Sequence, residues 1–287
     1  MTSTLESKKH SPRSIKRATI VTHGKAPTIG PALARVERVA REHGVKLIFP
    51  QEEREKHGLE NGGADPRGAD IAVVLGGDGT MLRALHTFLG TDVPVIGVNF
   101  GRVGFLASIQ PDQLESRLAR VFEGDYVVVE LPTLEAEVEG KTLVAVNDVV
   151  ATSSILGRMV ELQWAVGGED LGRVACDGII CATPSGSTAY NLSNGGPVLV
   201  RGLEAMVVTF VAPHSLHARP LVVARGLDLI VWNRTLDVDV TMLVDGHASA
   251  TIAPSNRMIV RLGEQRSLLA TLPETTFFRR YRETFGS

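Results

Sequence analysis

Short apolar runs alternate with amphipathic stretches in the first part of the chain. The apolar runs are typical of buried parallel strands and cover residues 18–22, 45–49, 71–75 and 93–98. The amphipathic stretches carry apolar residues at helical spacing and cover residues 28–43, 80–89 and 111–123. Because strands alternate with helices, we predict an α/β domain over residues 17–125, with a parallel sheet and helices on both faces.

Two polar segments lack this pattern. Residues 1–16 are polar and basic, which predicts a disordered tail at the start of the chain. Residues 50–68 are charged and contain glycine and proline, which predicts a mobile loop between a strand and the next apolar run.

From about residue 126 the pattern changes to closely spaced runs of β-forming residues. Hairpin turns are predicted at residues 139–140, 167–168 and 245–246. This spacing predicts a mostly antiparallel, β-rich domain over residues 126–272. Residues 277–285 are amphipathic, and we expect the C-terminal segment, residues 273–287, to pack back on the first domain.

The composition narrows the possible partners and compartments. The 30 basic and 32 acidic residues give a net charge of −2, so no chain-wide basic field would attract nucleic acid. No apolar run reaches the roughly 18 residues of a membrane span, and no apolar segment follows the basic N-terminus, so we expect neither a membrane partner nor a signal peptide. Cys176 and Cys181 lie in apolar, strand-like sequence and predict two buried thiols, as in a cytoplasmic protein.

Glycine is the compositional outlier, with 29 of 287 residues, or about 10% against a usual ~7%. The first glycine-rich segment, Gly76-Gly77-Asp78-Gly79-Thr80, follows an apolar strand and opens a helix. Glycine lets a phosphate approach backbone N–H groups closely, and a helix N-terminus favours an anion. We expect Thr80 to cap the helix. The segment predicts a phosphate loop that carries a carboxylate, and the alternative is a tight turn in which Asp78 only caps.

Residues 97–106 form a second glycine-rich segment after a strand. They resemble a dinucleotide-binding fingerprint only loosely, because Asn99 interrupts the first glycine pair and no acidic residue follows at a suitable strand end. A glycine-rich turn that packs against the first loop explains these residues equally well.

Two further segments combine amides, carboxylates and hydroxyls. Asn147-Asp148 ends an apolar run and can hydrogen-bond a base edge and a ribose diol, although a plain turn has the same sequence. Asp177-Gly178 and the hydroxyl-rich residues 183–197 form the other segment. Residues 187–192 predict a short helix, and Tyr190 offers a ring that stacks on a base.

Other chemistries have less support. A Gly-x-Ser-x-Gly motif is absent and no acid–histidine pair is evident, which argues against a serine hydrolase. His214 and His217 are three residues apart but lack further ligand candidates for zinc.

Taken together, these segments resemble the NAD kinase family. They occur in the family's order from about residue 70 to 250 and comprise residues 76–80, 97–106, 147–148, 177–178, 183–190, 195–197, 213–216 and 219–220. The Gly-Gly-Asp-Gly loop is shared with lipid kinases and with the wider phosphofructokinase-like superfamily. The run Thr-Pro-Ser-Gly-Ser-Thr-Ala-Tyr at 183–190 is highly specific to NAD kinases.

The resemblance implies a Rossmann-like α/β domain of that superfamily, then a β-rich domain that binds the dinucleotide, with a C-terminal segment that returns to the first domain. It implies transfer of a phosphoryl group to the 2′-hydroxyl of the adenosine ribose of NAD, giving NADP. The implied donor is ATP or, in some members, polyphosphate, with Mg²⁺ or another divalent metal. A homodimer or homotetramer is also implied.

The resemblance further implies roles for single residues. Asp78 is the base or orienting carboxylate for the 2′-hydroxyl, Arg83 reaches a phosphate, and Tyr190 lies against a base. Asn147 and Asp148 bind adenine and ribose. The full implied nucleotide-binding set is Gly77, Asp78, Gly79, Thr80, Arg83, Asn99, Asn147, Asp148, Arg158, Asp177, Ser187, Thr188, Ala189, Tyr190, Asn191, Leu192, Ser193 and His247.

The sequence departs from the family pattern at three positions. Asp148 stands where Glu is usual, so its ribose contact is expected to be weaker or shifted. Ser185 replaces Thr and keeps the hydroxyl, and His247 replaces Gln or Asn. Two alternatives stay open: a lipid or small-polyol kinase that shares the loop, and an NADP(H)-binding homologue without turnover.

Overall fold

A computed structural model of the protein describes residues 14–24, 26–59, 65–101 and 104–286. The chain divides into two compact units, one formed by residues up to 130 together with those from 267 onward, the other by residues 131–266. Residues 1–13 of the predicted tail lie outside the described residues. Ile15 is buried, and its N–H donates to the carbonyl of Phe122 at 3.0 Å, so residue 15 is part of the fold.

Sixteen strands and six α-helices lie in the described part of the chain. The strands are β1 (Arg17–Thr22), β2 (Lys46–Ile48), β3 (Ile71–Gly76), β4 (Val95–Asn99), β5 (Val127–Val138), β6 (Lys141–Ala145), β7 (Asp148–Ser153), β8 (Val160–Val166), β9 (Glu169–Cys176), β10 (Gly178–Ala182), β11 (Ala205–Val211), β12 (Leu221–Ala224), β13 (Leu229–Asn233), β14 (Val240–Val244), β15 (His247–Ile252) and β16 (Arg257–Thr271). The helices are α1 (Ala26–Glu42), α2 (Gln51–His57), α3 (Asp78–Thr87), α4 (Leu114–Phe122), α5 (Tyr190–Ser193) and α6 (Phe277–Phe285).

The first unit contains a parallel sheet in the order β2-β1-β3-β4. All six residues of β3 are buried, as expected for a central parallel strand whose two faces are both covered. The C-terminal end of β16 continues this sheet, where Leu269 pairs in parallel with Val95 of β4. These strands and helices α1 and α4 share one apolar core, so the predicted α/β class is confirmed.

Helix α2 corrects the prediction of a mobile loop over residues 50–68. Residues 51–57 are helical although five of the seven are charged, and residues 60–64 lie outside the described part. Glu53 explains the helix, because its side chain is only 2% exposed and faces the end of β1. A helix whose single buried contact is a charged group has no apolar periodicity for a sequence pattern to detect.

The second unit is antiparallel and β-rich, as predicted. One sheet has six strands in the order β12-β11-β10-β7-β14-β15. Outside that sheet, neighbouring strands of this unit pair in the order β16-β13-β8-β9. The hairpin turns at 139–140, 167–168 and 245–246 are confirmed, since both residues of each have positive φ. Cys176 and Cys181 are free and buried, as predicted. No described helix is long and apolar enough to cross a membrane.

Two glycine-to-alanine substitutions are predicted to move stability in opposite directions. A Cβ at Gly178, in β10, would lie 2.5 Å from the backbone oxygen of Ala151 in the neighbouring strand, whereas a Cβ at Gly30, in α1, meets nothing within 4 Å. Gly178→Ala should therefore cost about 1–3 kcal/mol through overpacking, and Gly30→Ala should stabilise the protein by about 0.5–1 kcal/mol. Urea unfolding of both variants checks this prediction. A stabilised Gly178→Ala protein would contradict the close approach of β10 to β7 at this residue.

Candidate functional site

The glycine-rich loop joins the buried strand β3 to helix α3. Strand β3 ends at Gly76, Gly77 is the N-cap residue, and the helix begins at Asp78. The prediction that Thr80 caps this helix is wrong, because the helix starts two residues earlier than its apolar pattern suggests. Thr80 is instead buried in the first turn, and Gly79 is exposed. The first backbone N–H groups of this ten-residue helix have no carbonyl partner within the helix and lie at the loop, as an anion site requires.

The carboxylate of Asp78 is held by the backbone of another loop. Oδ2 accepts a hydrogen bond from the N–H of Phe105 at 2.7 Å, and Oδ1 accepts from Leu106 at 3.2 Å and from Ala107 at 3.4 Å. The Asp78 carboxylate therefore binds a second loop, which the alternative that it only caps its own helix does not account for. A half-buried carboxylate with three backbone donors has a fixed orientation.

The second glycine-rich segment packs against the first loop. The N–H of Phe100 donates to the carbonyl of Gly76 at 3.1 Å, and the side-chain Oδ1 of Asn99 accepts from the N–H of Gly101 at 3.0 Å. Asn99 is buried at the end of β4, next to the end of β3. Arg102 and Val103 lie outside the described residues. The segment therefore supports the loop, as the packing alternative expected.

Arg83 belongs to a polar cluster that sequence reasoning missed. Its Nη2 donates to the carbonyl of Thr22 at 3.2 Å and lies 3.8 Å from Glu53 Oε1. Glu53 also accepts from the N–H of Thr22 at 2.9 Å and from Lys56 Nζ at 3.0 Å. His57 Nε2 lies 3.0 Å from Thr22 Oγ1. This cluster at the end of β1 orients Arg83, whose side chain remains about half exposed. In the sequence, the cluster is marked by the charged residues 51–57, and such a charged stretch fits a loop equally well.

In the second unit, Asp245 holds the Asn147-Asp148 pair. Its Oδ1 accepts from the N–H of Asn147 at 2.7 Å and of Asp148 at 3.2 Å, and its Oδ2 accepts from the N–H of Val146 at 2.9 Å. The sequence identified Asp245 only as a turn residue, because its partners lie about 100 positions earlier in the chain. The Asn147-Asp148 pair is thus more than a plain turn: its backbone is fixed in one conformation.

Asp148 is the buried carboxyl group of this cluster. It is only 6% exposed. Burial, and in second place the nearby charge of Asp245, together raise the pKa of Asp148 to about 7. The carboxyl group therefore changes its protonation state close to neutral pH.

The hydroxyl-rich segment lies directly on the Asn147-Asp148 pair. Thr183 donates its hydroxyl to the carbonyl of Val146 at 2.8 Å and its N–H to the carbonyl of Asn147 at 2.9 Å. Gly186 approaches so closely that a Cβ there would lie 2.1 Å from the Asn147 carbonyl oxygen. The side-chain Oδ1 of Asn147 and the hydroxyl of Ser185 are buried without a hydrogen-bond partner in the described structure. Such buried polar atoms need a hydrogen-bond partner, which the described residues do not provide.

The predicted helix at 187–192 is split in two. A short 3₁₀ helix covers Gly186–Thr188, and α5 follows after Ala189. Ser187 and Asn191 are fully buried, and their side chains bond to Leu199 and to Thr209 and Pro197 respectively, within the loop and its supporting strand. These two residues stabilise the segment, and a contact of their side chains with a nucleotide stays a prediction.

The other residues of the predicted set lie around this segment or at its edge. Tyr190 is 44% exposed, and Ser193, Asp177, Arg158 and His247 are exposed. Thr188, Ala189 and Leu192 are half-buried. Arg158 pairs with Asp237 at 3.1 Å, and His247 Nδ1 lies 3.0 Å from the Asp245 carbonyl oxygen. Their binding roles stay predictions.

Comparisons with known proteins agree with the resemblance. Residues 20–126 match the family description of the ATP-NAD kinase N-terminal domain, and residues 146–272 match that of the ATP-NAD kinase C-terminal domain. An NAD kinase of Gemmatimonas aurantiaca is 37% identical over 223 residues, which are 76% of this chain and 77% of that protein.

Two solved structures have the same fold. A yeast NADH kinase complexed with NADH superimposes with a TM-score of 0.81, at 24% identity, over 96% of this chain and 88% of that chain. An NAD kinase from Archaeoglobus fulgidus in complex with ATP superimposes with a TM-score of 0.74, at 25% identity, over 94% and 97% of the two chains. The chain is a phosphotransferase and belongs to the NAD kinase family.

Proposed function

We propose that this protein transfers a phosphoryl group from ATP to the 2′-hydroxyl of the adenosine ribose of NAD, giving NADP. The observation that carries the proposal is the fixed carboxylate of Asp78 at the start of α3, inside a glycine-rich loop. A hydroxyl that attacks phosphorus must lose a proton, and Asp78 is the carboxylate of that loop. Phosphoryl transfer otherwise requires positioning and charge stabilisation more than covalent chemistry.

The first unit offers the groups that a phosphate needs. The N-terminus of α3 presents free backbone N–H groups and the positive end of the helix dipole at Gly77, Asp78 and Gly79. Arg83 lies one turn further along and is oriented by the Glu53 cluster. We infer that the loop binds a phosphate of the donor and that Arg83 neutralises part of its charge.

The second unit offers the groups that an adenosine needs. The unpartnered Oδ1 of Asn147 is an acceptor for an exocyclic amine, as in adenine. The carboxyl of Asp148 can bind a ribose hydroxyl, and the exposed ring of Tyr190 can stack on a base. We infer that these three residues bind the dinucleotide.

Mg²⁺ or another divalent metal is part of the proposal. No three described His, Cys, Asp or Glu side chains lie close enough together to hold a metal ion. Magnesium in phosphoryl-transfer sites usually keeps several waters and is held by one or two carboxylates together with substrate phosphates, so the residues present fit it. Asp78 is the carboxylate that would contact it, and the metal would neutralise phosphate charge. The proposal includes polyphosphate as an alternative donor to ATP.

We further infer a cytoplasmic homodimer or homotetramer, as the resemblance implies. The two buried free thiols support a reducing compartment.

An assay with NAD, ATP and Mg²⁺ tests the whole proposal, with NADP as the expected product. Tight dinucleotide binding without NADP would favour a non-catalytic homologue. Phosphorylation of a diacylglycerol in place of NAD would favour the lipid-kinase alternative.

Asp78→Asn should lower kcat by at least ~10²-fold, the usual scale for the loss of a general base. The asparagine side chain has one oxygen in place of two, so it can accept fewer of the hydrogen bonds from residues 105–107. Its NH₂ group would face a backbone N–H. The variant is therefore checked for folding by circular dichroism before steady-state kinetics. Asp92→Asn, at an exposed position of the same unit, is the matched control. Near-wild-type turnover in Asp78→Asn would contradict the role of Asp78.

Asn147→Ala and Asn191→Ala should separate binding from stability. Loss of the unpartnered Oδ1 of Asn147 should raise the KM for NAD by about 3- to 10-fold, the net value of one hydrogen bond, at nearly unchanged stability. Asn191→Ala removes three internal hydrogen bonds and should destabilise the protein by about 2–3 kcal/mol. Kinetics and urea unfolding on both variants check the pair. A destabilised Asn147→Ala protein with a normal KM for NAD would show that Asn147 stabilises the fold and does not bind NAD.

The stability of the protein should depend on pH through Asp148. Its pKa is raised from 3.8 to about 7 on folding, so the folded state holds this proton more tightly than the unfolded chain. The resulting stabilisation is fully present below pH 3.8 and is lost as the pH rises through about 7. The urea midpoint of the wild type should therefore fall more between about pH 5 and pH 8 than that of Asp148→Asn. Identical pH profiles for the two proteins would show that Asp148 does not titrate in this range.

A further inference from the structure

Arg280, in the C-terminal helix α6, is a buried cation beside the loop that holds Asp78. Its side chain is only 4% exposed. Nη1 donates to the carbonyl of Gly104 at 3.3 Å, and Nη2 donates to the carbonyl of Ala107. The helix therefore contacts both ends of the 104–107 segment.

Three residues of this segment, 105–107, donate their N–H groups to the carboxylate of Asp78. The Gly104–Phe105 peptide group lies between the two charges: its carbonyl accepts from Arg280 and its N–H donates to Asp78 Oδ2 at 2.7 Å. A peptide with a cation at its oxygen and an anion at its N–H is polarised, so each hydrogen bond strengthens the other. Arg280 thus acts on Asp78 through one peptide group without touching it.

Gly104 is required by this arrangement. A Cβ at this residue would lie between 2.3 and 2.6 Å from the three atoms of the Asp78 carboxyl group. Phe105, the next residue, stacks on Phe285 at a ring distance of 5.7 Å and contacts Phe277 at 6.0 Å. Both aromatic partners belong to α6, so the helix holds the segment by apolar contacts as well as by Arg280.

Stability alone does not account for a buried arginine here. Neither Asp78 nor Glu283, the two carboxylates whose charges act on it, forms an ion pair with Arg280 in the described structure. Burial lowers the pKa of Arg280, which shows that the site penalises its charge. An apolar side chain of similar length would fill the space at a smaller desolvation cost.

We propose that Arg280 is a positioning residue for phosphoryl transfer, which holds the 104–107 segment so that the carboxylate of Asp78 keeps its orientation. The proposal rests on the proposed function of Asp78. Among the described residues, the hydrogen bonds of the Arg280 side chain go to backbone carbonyls, so its effect should fall on turnover and leave substrate affinity unchanged.

Arg280→Met keeps an unbranched, flexible side chain and removes the charge and the donors. We expect kcat to fall by about 10- to 100-fold, the scale of a misplaced catalytic group, with the KM values for NAD and ATP within about twofold of the wild type. Arg280→Lys keeps the charge and one donating nitrogen in place of two, and should recover part of the loss. Arg279→Met is the matched control, since Arg279 is the exposed neighbour on the same helix and pairs with Glu283. Its kcat should not change.

A double-mutant cycle tests whether Arg280 acts on turnover through Asp78. In the Asp78→Asn background, Arg280→Met should change the residual kcat by less than about twofold, because the residue it positions is already lost. Equal losses in both backgrounds would overturn the proposal, as would wild-type kcat in Arg280→Met. If Arg280→Met is unfolded at the assay temperature, Arg280→Gln replaces it, and an unfolded Arg280→Gln protein would show a purely structural role and overturn the proposal.

The outcomes also separate this inference from the proposed function. A wild-type protein that makes no NADP would refute the proposed function itself. A wild-type protein that makes NADP, an inactive Asp78→Asn variant and a fully active Arg280→Met variant would refute only the role of Arg280.

Discussion

Three consecutive backbone N–H groups, at residues 105, 106 and 107, bind the carboxylate of Asp78, and the first unit is arranged around this contact. The contact requires Asp78 at the start of α3 and a segment without a Cβ at residue 104. It also requires β3 and β4 to end side by side, so that the loops that follow them meet. Parallel pairing supplies that condition, because the carboxyl ends of parallel strands lie at one edge of the sheet.

In the second unit, too, one carboxylate binds three consecutive backbone N–H groups. Asp245 binds the N–H groups of residues 146, 147 and 148, and so fixes the pair that we propose to bind adenosine. In both cases a carboxylate stabilises a strand end or loop that has no regular backbone partner. Charge-assisted hydrogen bonds are stronger than neutral ones, so three of them can hold a short irregular segment in one conformation. Both segments therefore depend for their conformation on a carboxylate that is distant in the sequence.

This dependence on distant partners explains what the sequence could predict and what it could not. The apolar runs of β3 and β4, the glycine-rich loop and the hairpin at 245–246 follow from local patterns, and the structure contains each of them. The helix at 51–57 was missed because its buried residue, Glu53, is charged and finds its partners on β1. The early start of α3 at Asp78 was missed because Gly77, which has no capping side chain, is its N-cap residue. The roles of Asp245 and Arg280 depend on partners about 100 and about 175 positions away, so no local pattern could indicate them.

Glu53 and Arg280 are the charged residues of the first unit that are almost fully buried among those described, and each supports a residue of the proposed phosphate chemistry. Glu53 faces Arg83, and Arg280 faces the segment that holds Asp78. A buried charge lowers stability unless its hydrogen bonds are satisfied, and even then an apolar substitute is often as stable. Apolar side chains at these two positions could fill the same space, but they could not direct a guanidinium or polarise a peptide group. The two buried charges are therefore better explained by the geometry that they impose on Arg83 and Asp78 than by the stability of the fold.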